Sequence, residues 1–210
     1  MSTHPAIWSE LGKLLRYPDG SYRQRLHQCR QALAVSCSSA AAGLLEVEEE
    51  LAGRSVSELE ELYTRTFDLN PTCSLEIGWH LYGEQYERGR FLVRCRDLLE
   101  ELNIDEDGEL PDHLSSLVAA QGRLSNELAA PFAARFLLPA LLVMRQALRD
   151  KQSDFAGLLD TLVILTEEKK GDLPVAQPRQ RIDADLVQIG TAGTAPRPPR
   201  GPAPAGRPVA

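Results

Sequence analysis

The sequence predicts an all-α fold, a globular bundle of seven to nine helices followed by a disordered C-terminal tail. Three observations carry that expectation. Apolar residues recur at i, i+3, i+4 spacing through nearly the whole body, and no stretch alternates convincingly with period two. Composition then shifts at Gly171, after which eight Pro and five Gly fall within 40 residues that contain no aromatic side chain. Such a segment buries too little apolar surface to offset its chain entropy. The expected division is therefore a helical domain over residues 1–170 and a Pro/Gly/Arg-rich tail over 171–210.

The elements follow in order. Ile7, Trp8, Leu11, Leu14 and Leu15 share one helical face, and Tyr17-Pro18-Asp19-Gly20 is a turn sequence that ends it. A second helix covers about Tyr22 to Val35, and the Ala-rich run from Ser38 to Leu51 forms a third. Ser55 and Glu58 make a capping box for the fourth, whose inward face is Val56, Leu59, Leu62, Tyr63, Thr66 and Phe67; Asn70-Pro71 stops it. Glu84 to Leu102 reads as the next long helix, with Tyr86, Phe91, Cys95, Leu98, Leu99 and Leu102 inward. Pro111 suits a first helical position, with Leu114, Leu117, Val118, Leu124 and Leu128 behind it. Pro131 opens another helix that Pro139 kinks, and Asp154 to Glu168 is the last, burying Phe155, Leu158, Leu159, Leu162 and Val163. No internal repeat is present.

Charge narrows the partners. The net charge is −7, and residues 1–170 alone carry 18 basic and 27 acidic residues. A body so acidic is a poor holder of phosphate backbones, so nucleic acid is not an expected partner, while a basic peptide is. Acidity also serves plain solubility. The N-terminus lacks a signal peptide's basic region and continuous apolar core. The most apolar run, Ala129 to Met144, is shorter than the ~20 residues a bilayer needs and reads as a buried helix without membrane insertion. A cytoplasmic location follows as the expectation, with Cys29, Cys37, Cys73 and Cys95 as free thiols; they form no CxxC pair.

Catalytic patterns are missing. There is no GxSxG elbow, no GxxxxGK[ST] or GxGxxG loop and no HExxH, so no catalytic residue, resident metal or bound cofactor is expected. One enzymatic alternative remains: Glu76 with His80 and Glu109 with His113, each at i, i+4, could meet at a metal, although Pro111 interrupts the second pair's helix.

Two stretches concentrate polar chemistry. The segment FDLNPTCSLEIGWHLYGEQYERG, Phe67 to Gly89, sets Trp79, His80, Tyr82 and Tyr86 among four carboxylates between two amphipathic helices. Trp79 and Tyr82, three apart, share a face; they serve either as core plugs or as anchors in the wall of a peptide groove, with Asp68, Glu76 and Glu84 to meet a basic residue. The second stretch is ELPDHL, Glu109 to Leu114. Asp112 there reads either as a first-turn carboxylate favouring a helix N-terminus or as a binding residue, and His113 as a buried hydrogen-bonding histidine or a ligand contact.

ELPDHL resembles the Glu-x-Pro-Asp-His-Leu signature of the TorD/DmsD/NarJ family of chaperones. YTRTFD and GWHLYGEQYERG, together with Leu11-Gly12-Lys13-Leu14-Leu15-Arg16-Tyr17-Pro18-Asp19, are similar to the NarJ branch, and the likeness covers about residues 7 to 168. The resemblance implies an all-α cytoplasmic chaperone, not an enzyme. Its implied partner is the N-terminal leader, or the apo form, of the catalytic subunit of a molybdenum oxidoreductase. That client carries bis-molybdopterin guanine dinucleotide and iron–sulfur clusters, whereas the chaperone keeps no cofactor. By motif, Pro111, Asp112 and His113 fall where the family binds leaders, and Trp79, His80 and Tyr82 in the adjoining patch; for such a leader Asp68, Glu76, Glu84 and Asp112 can supply the acids and Trp79, Tyr82 and Leu114 the apolar groove. Nitrate reductase is the branch's usual client, and the chain is expected to be a monomer or a helix-swapped dimer. Asp112→Ala and Trp79→Ala are expected to weaken partner binding and spare stability. The tail departs from the family; its Arg residues can meet the body's own carboxylates, or it is a solvated extension.

Overall fold

A computed structural model describes residues 5–176; the remainder of the expected disordered tail, 177–210, lies outside the described residues. The elements are α1 (Pro5–Lys13), α2 (Tyr22–Ser36), α3 (Ser38–Glu50), α4 (Val56–Tyr63), α5 (Ile77–Tyr82), α6 (Tyr86–Glu101), α7 (Leu114–Arg123), α8 (Asn126–Phe132), α9 (Leu138–Asp150) and α10 (Ala156–Lys170). A π-helical turn, Thr64–Asp68, prolongs α4, and a second, Ala133–Leu137, welds α8 to α9 in one rod, Asn126–Asp150. With that rod counted once, nine helices stand among the described residues, where no strand occurs and only an isolated bridge pairs extended backbone. The all-α expectation holds.

Packing follows from the apolar stripes. α1 lies on α7, α3 sits between α2 and α10, and α5 is held between α6 and α9. The closest crossing is α3 on α10, where a side chain on Gly43 or Gly157 would collide with the other's carbonyl, and Thr161 donates to Ala40 O at 2.8 Å across it. The capping box of α4 forms as expected, Ser55 Oγ accepting from the Glu58 N–H at 3.3 Å and the Glu58 carboxylate accepting from the Ser55 N–H at 2.6 Å.

Three local expectations change, and a fourth, at Pro139, falls on a π turn. Tyr86 is 82% exposed, because the buried stripe of α6 runs Phe91, Cys95, Leu98, Leu99 and extends back to positions 87–88, one residue off Tyr86. α7 starts at Leu114, with His113 as its N-cap, and ends at Arg123, so Leu128 belongs to α8. Pro131 lies inside α8, as its sixth residue, and does not open a helix; it withholds an N–H from the carbonyl of Glu127 one turn back. Pro139 is absorbed by the widened turn before it: Leu138 N–H bonds Ala133 O, five residues back, and in that register Pro139 has no N–H to give Ala134 O. The Ala134 carbonyl instead accepts from Ala176 N–H at 3.1 Å, tying the chain beyond α10 to this turn. The rod Asn126–Asp150 is long and apolar enough to cross a membrane, but 61% of its most apolar stretch is buried against the other helices, which makes it a core helix.

Candidate functional site

The two polar stretches singled out in the sequence meet in space. Residues 75–78 and 112–114 pair as a short antiparallel bridge, Glu76 opposite His113. Ile77 N–H donates to Asp112 O at 3.1 Å and Leu114 N–H to Leu75 O at 2.8 Å. The Asp112 carboxylate then accepts from Gly78 N–H at 3.1 Å, so ELPDHL supplies, from 34 residues away in sequence, the acceptor that α5 lacks in its own N-terminal residues. A Cβ at position 78 would lie 2.5 Å from Asp112 Oδ2 and 3.1 Å from the Phe91 ring, so any larger residue there has to displace the carboxylate or α5.

Asp112 is wholly buried. Burial pushes its pKa up to about 6, against the pull of Arg88, whose Nε is 3.9 Å from Oδ2, and with a further push from Glu76. His113 is buried as well, and burial holds it down at about 4, so it is neutral near pH 7. Its Nδ1 accepts from Ser115 N–H at 3.3 Å and contacts Ser115 Oγ at 2.7 Å, capping α7, which assigns the ring proton to Nε2. Pro111 and Leu114 are interior too. The sequence motif is thus the brace of the site, and Asp112, Pro111 and Leu114 present little or nothing to solvent.

Two concavities open above this brace. One, of about 350 Å³, is walled by Tyr63, Phe67 and Trp79 and holds Asp68, Glu76, Glu109, His113 and Arg88. Burial, then the charge of Glu76, raises the Asp68 pKa, and burial followed by Glu76 and Asp68 raises that of Glu109. These carboxylates feel one another, and a cation placed among them would relieve the strain. The guanidinium of Arg88 lies 5.7 Å from the centroid of the Trp79 ring. The other concavity is a groove of about 1250 Å³ between α5 and α9, with Trp79, Tyr82, Pro139, Leu142, Val143 and Ala147 as its apolar lining and His80, Glu84 and Asp150 at its polar positions. His80 is fixed there by an Nε2–H bond to Ser74 O at 2.8 Å, and burial lowers its pKa. Trp79 and Pro71 line both concavities.

Of the expected residues, Asp68, Glu76, Trp79, His80, Tyr82, Glu84 and His113 line one or other space, while Tyr82 also packs on Phe91 at 5.4 Å as part of the core. Leu142 and Val143, the second wall of the groove, were missed because the run around them is apolar on every side and reads as wholly buried. Val143 is 41% exposed. Arg88 was missed because only folding brings it beside Asp112. Among the described residues no three Cys, His, Asp or Glu side chains are placed to share a metal ion, so the Glu76, His80, Glu109 and His113 alternative has no geometric support.

Residues 30–160 match the family model described as nitrate reductase delta subunit. The chain is also 26% identical over 162 residues to the "Probable nitrate reductase molybdenum cofactor assembly chaperone NarJ" of Bacillus subtilis (strain 168), an alignment that covers 76% of this chain and 88% of that protein.

Proposed function

The chain belongs to the nitrate reductase delta subunit family, and from that premise we propose that it is a molybdenum cofactor assembly chaperone for a nitrate reductase-like enzyme. It works in the cytoplasm by binding the N-terminal segment of the apo catalytic subunit, and it catalyses no reaction of its own. The observation that supports this reading is that an apolar groove and a carboxylate-lined pocket share Trp79 in their lining, so that one extended or helical segment can occupy both. A leader with a basic start and an apolar helical face fits both at once. Its cation enters among Asp68, Glu76 and Glu109, and its apolar face lies along Trp79, Leu142 and Val143. Desolvated anchors in the groove supply most of the affinity, while the carboxylates fix the direction of the segment. While the segment is held, the client's bis-molybdopterin guanine dinucleotide and iron–sulfur clusters are inserted, and release then frees the subunit for assembly.

The test is affinity purification of the tagged protein from its host under anaerobic, respiratory growth, with mass spectrometry of what accompanies it. A large molybdenum-enzyme catalytic subunit is expected with the wild type and is lost with Trp79→Ala and with Leu142→Arg. Its sequence also separates nitrate reductase from selenate-, chlorate- and hydrocarbon-oxidising relatives. Recovery of that subunit undiminished in both variants would remove the groove from the reading.

A further inference from the structure

The groove between α5 and α9 has its own candidate occupant. After α10 the chain does not leave the surface: Ala176 N–H bonds Ala134 O at 3.1 Å, taking the carbonyl that Pro139 cannot serve. Val175 and Ala176 form part of the groove's lining, and Ala176 is the last described residue before the tail. The next residues read QPRQRIDADLVQIG, 177–190. Arg179 and Arg181 come first, and Ile182, Leu186 and Ile189 follow at i, i+4, i+7, a spacing that gives one apolar face when helical. This is the same order of features, cationic start then apolar stripe, that the groove and its acidic neighbour suit. Charge agrees: residues 177–210 hold five Arg and two Asp, whereas residues 1–176 hold 18 basic and 28 acidic side chains.

We propose that residues 177–190 occupy the α5–α9 groove of their own chain, with Ile182, Leu186 and Ile189 against Trp79, Leu142 and Val143 and the two arginines toward the carboxylates. Reach is no obstacle, because five extended residues span up to ~17 Å and the starting point already lines the groove. The segment is thus a tethered competitor, which a client must displace. Tethering makes even a weak contact effective, since a short linker holds the segment at about millimolar local concentration. Its meaning for a client rests on the function proposed above, but occupancy of the groove does not.

Disulfide trapping in the full chain tests occupancy, and the four native cysteines are all buried and do not interfere. Leu186→Cys is paired with Val143→Cys in the groove, or with Ala34→Cys on α2, which contributes nothing to it. The groove pair is expected to close intramolecularly at least about tenfold faster, the equivalent of about 1.4 kcal/mol of preference, and Ile182→Asp with Ile189→Asp abolishes the advantage. Equal rates for the two pairs overturn the proposal, as does a disulfide formed only between two molecules, which would assign the segment to a second copy. An absent trap alongside normal client capture overturns this inference and leaves the chaperone reading standing. A positive trap without client capture does the reverse.

Discussion

Replacing Asp112 by Asn removes the charge from the brace and keeps its shape. Native Asp112 holds its proton up to about pH 6, while the unfolded chain releases it near 3.8. Across that window the native state binds more protons, so this group makes wild-type stability fall as pH rises. The span is about two pH units at 1.36 kcal/mol each, hence roughly 3 kcal/mol of cost for carrying the buried charge at pH 7. Asp112→Asn does not carry that cost. It has a separate, pH-independent one, because Oδ1 has no partner and an amide placed there leaves a buried donor unmet, at about 1–3 kcal/mol. The net change at pH 7 is therefore small, but its pH dependence is not. Urea unfolding of both proteins from pH 4 to pH 8 should give a difference, variant minus wild type, that climbs by roughly 3 kcal/mol and levels above about pH 6. The wild-type curve alone hides this, since His113, held down to about 4, contributes stability that is present above its unfolded pKa of 6.5 and is lost as pH falls toward 4. Parallel curves for the two proteins would refute the burial argument. Asp112→Ala is a different case: it removes the acceptor for Gly78 N–H and leaves Arg88 without its carboxylate, at about 2–3 kcal/mol. The sequence alone led to the opposite expectation, that this substitution spares stability.

Trp79→Ala is expected to cost only about 1–2 kcal/mol in urea unfolding, since its ring is partly exposed and its contact with Arg88 is a surface cation–π pair; a larger loss would make Trp79 a core residue. Gly78→Ala, with its Cβ 2.5 Å from Asp112 Oδ2, should lower stability by about 1–3 kcal/mol and abolish client capture by displacing α5, and a variant with wild-type stability would contradict the close approach. All four thiols are buried, and burial pushes Cys29 up to about 12 and Cys95 well above its usual range, so a thiol reagent should label none quickly in the native protein and all four in denaturant. Rapid labelling of any one in the native state would place that residue at the surface.

The helices could be read because their signals are local. The capping box at Ser55, the Tyr17-Pro18-Asp19-Gly20 turn and the stripes of α1 and α10 each depend on residues within a few turns of one another. What could not be read lies where a distant contact adds to the local pattern. Pro139 shows in the sequence that an i→i−4 ladder is interrupted, but not that a π turn moves the register so that the freed carbonyl is Ala134's, nor that a residue beyond α10 fills it.

The site divides along the same line. Both stretches stand out in the sequence, because each puts aromatics, histidines or acids where a connector needs none, and the fold brings the two together. Which of their residues could face a ligand was not readable there. Asp112 and His113 are residue types that bind, but their backbone places them at two helix starts, α5 and α7, that would otherwise lack acceptors, and burial follows from that duty. On the function proposed above, the residues offered to a partner are those that line the two concavities: Trp79 in both, Leu142 and Val143 in the groove, and the carboxylates Asp68, Glu76 and Glu109 in the pocket. The ELPDHL motif is therefore the brace against which the proposed binding surface is set, and substitutions that separate binding from folding belong on α9, where Leu142→Arg meets the groove without touching the Asp112–Gly78 bond.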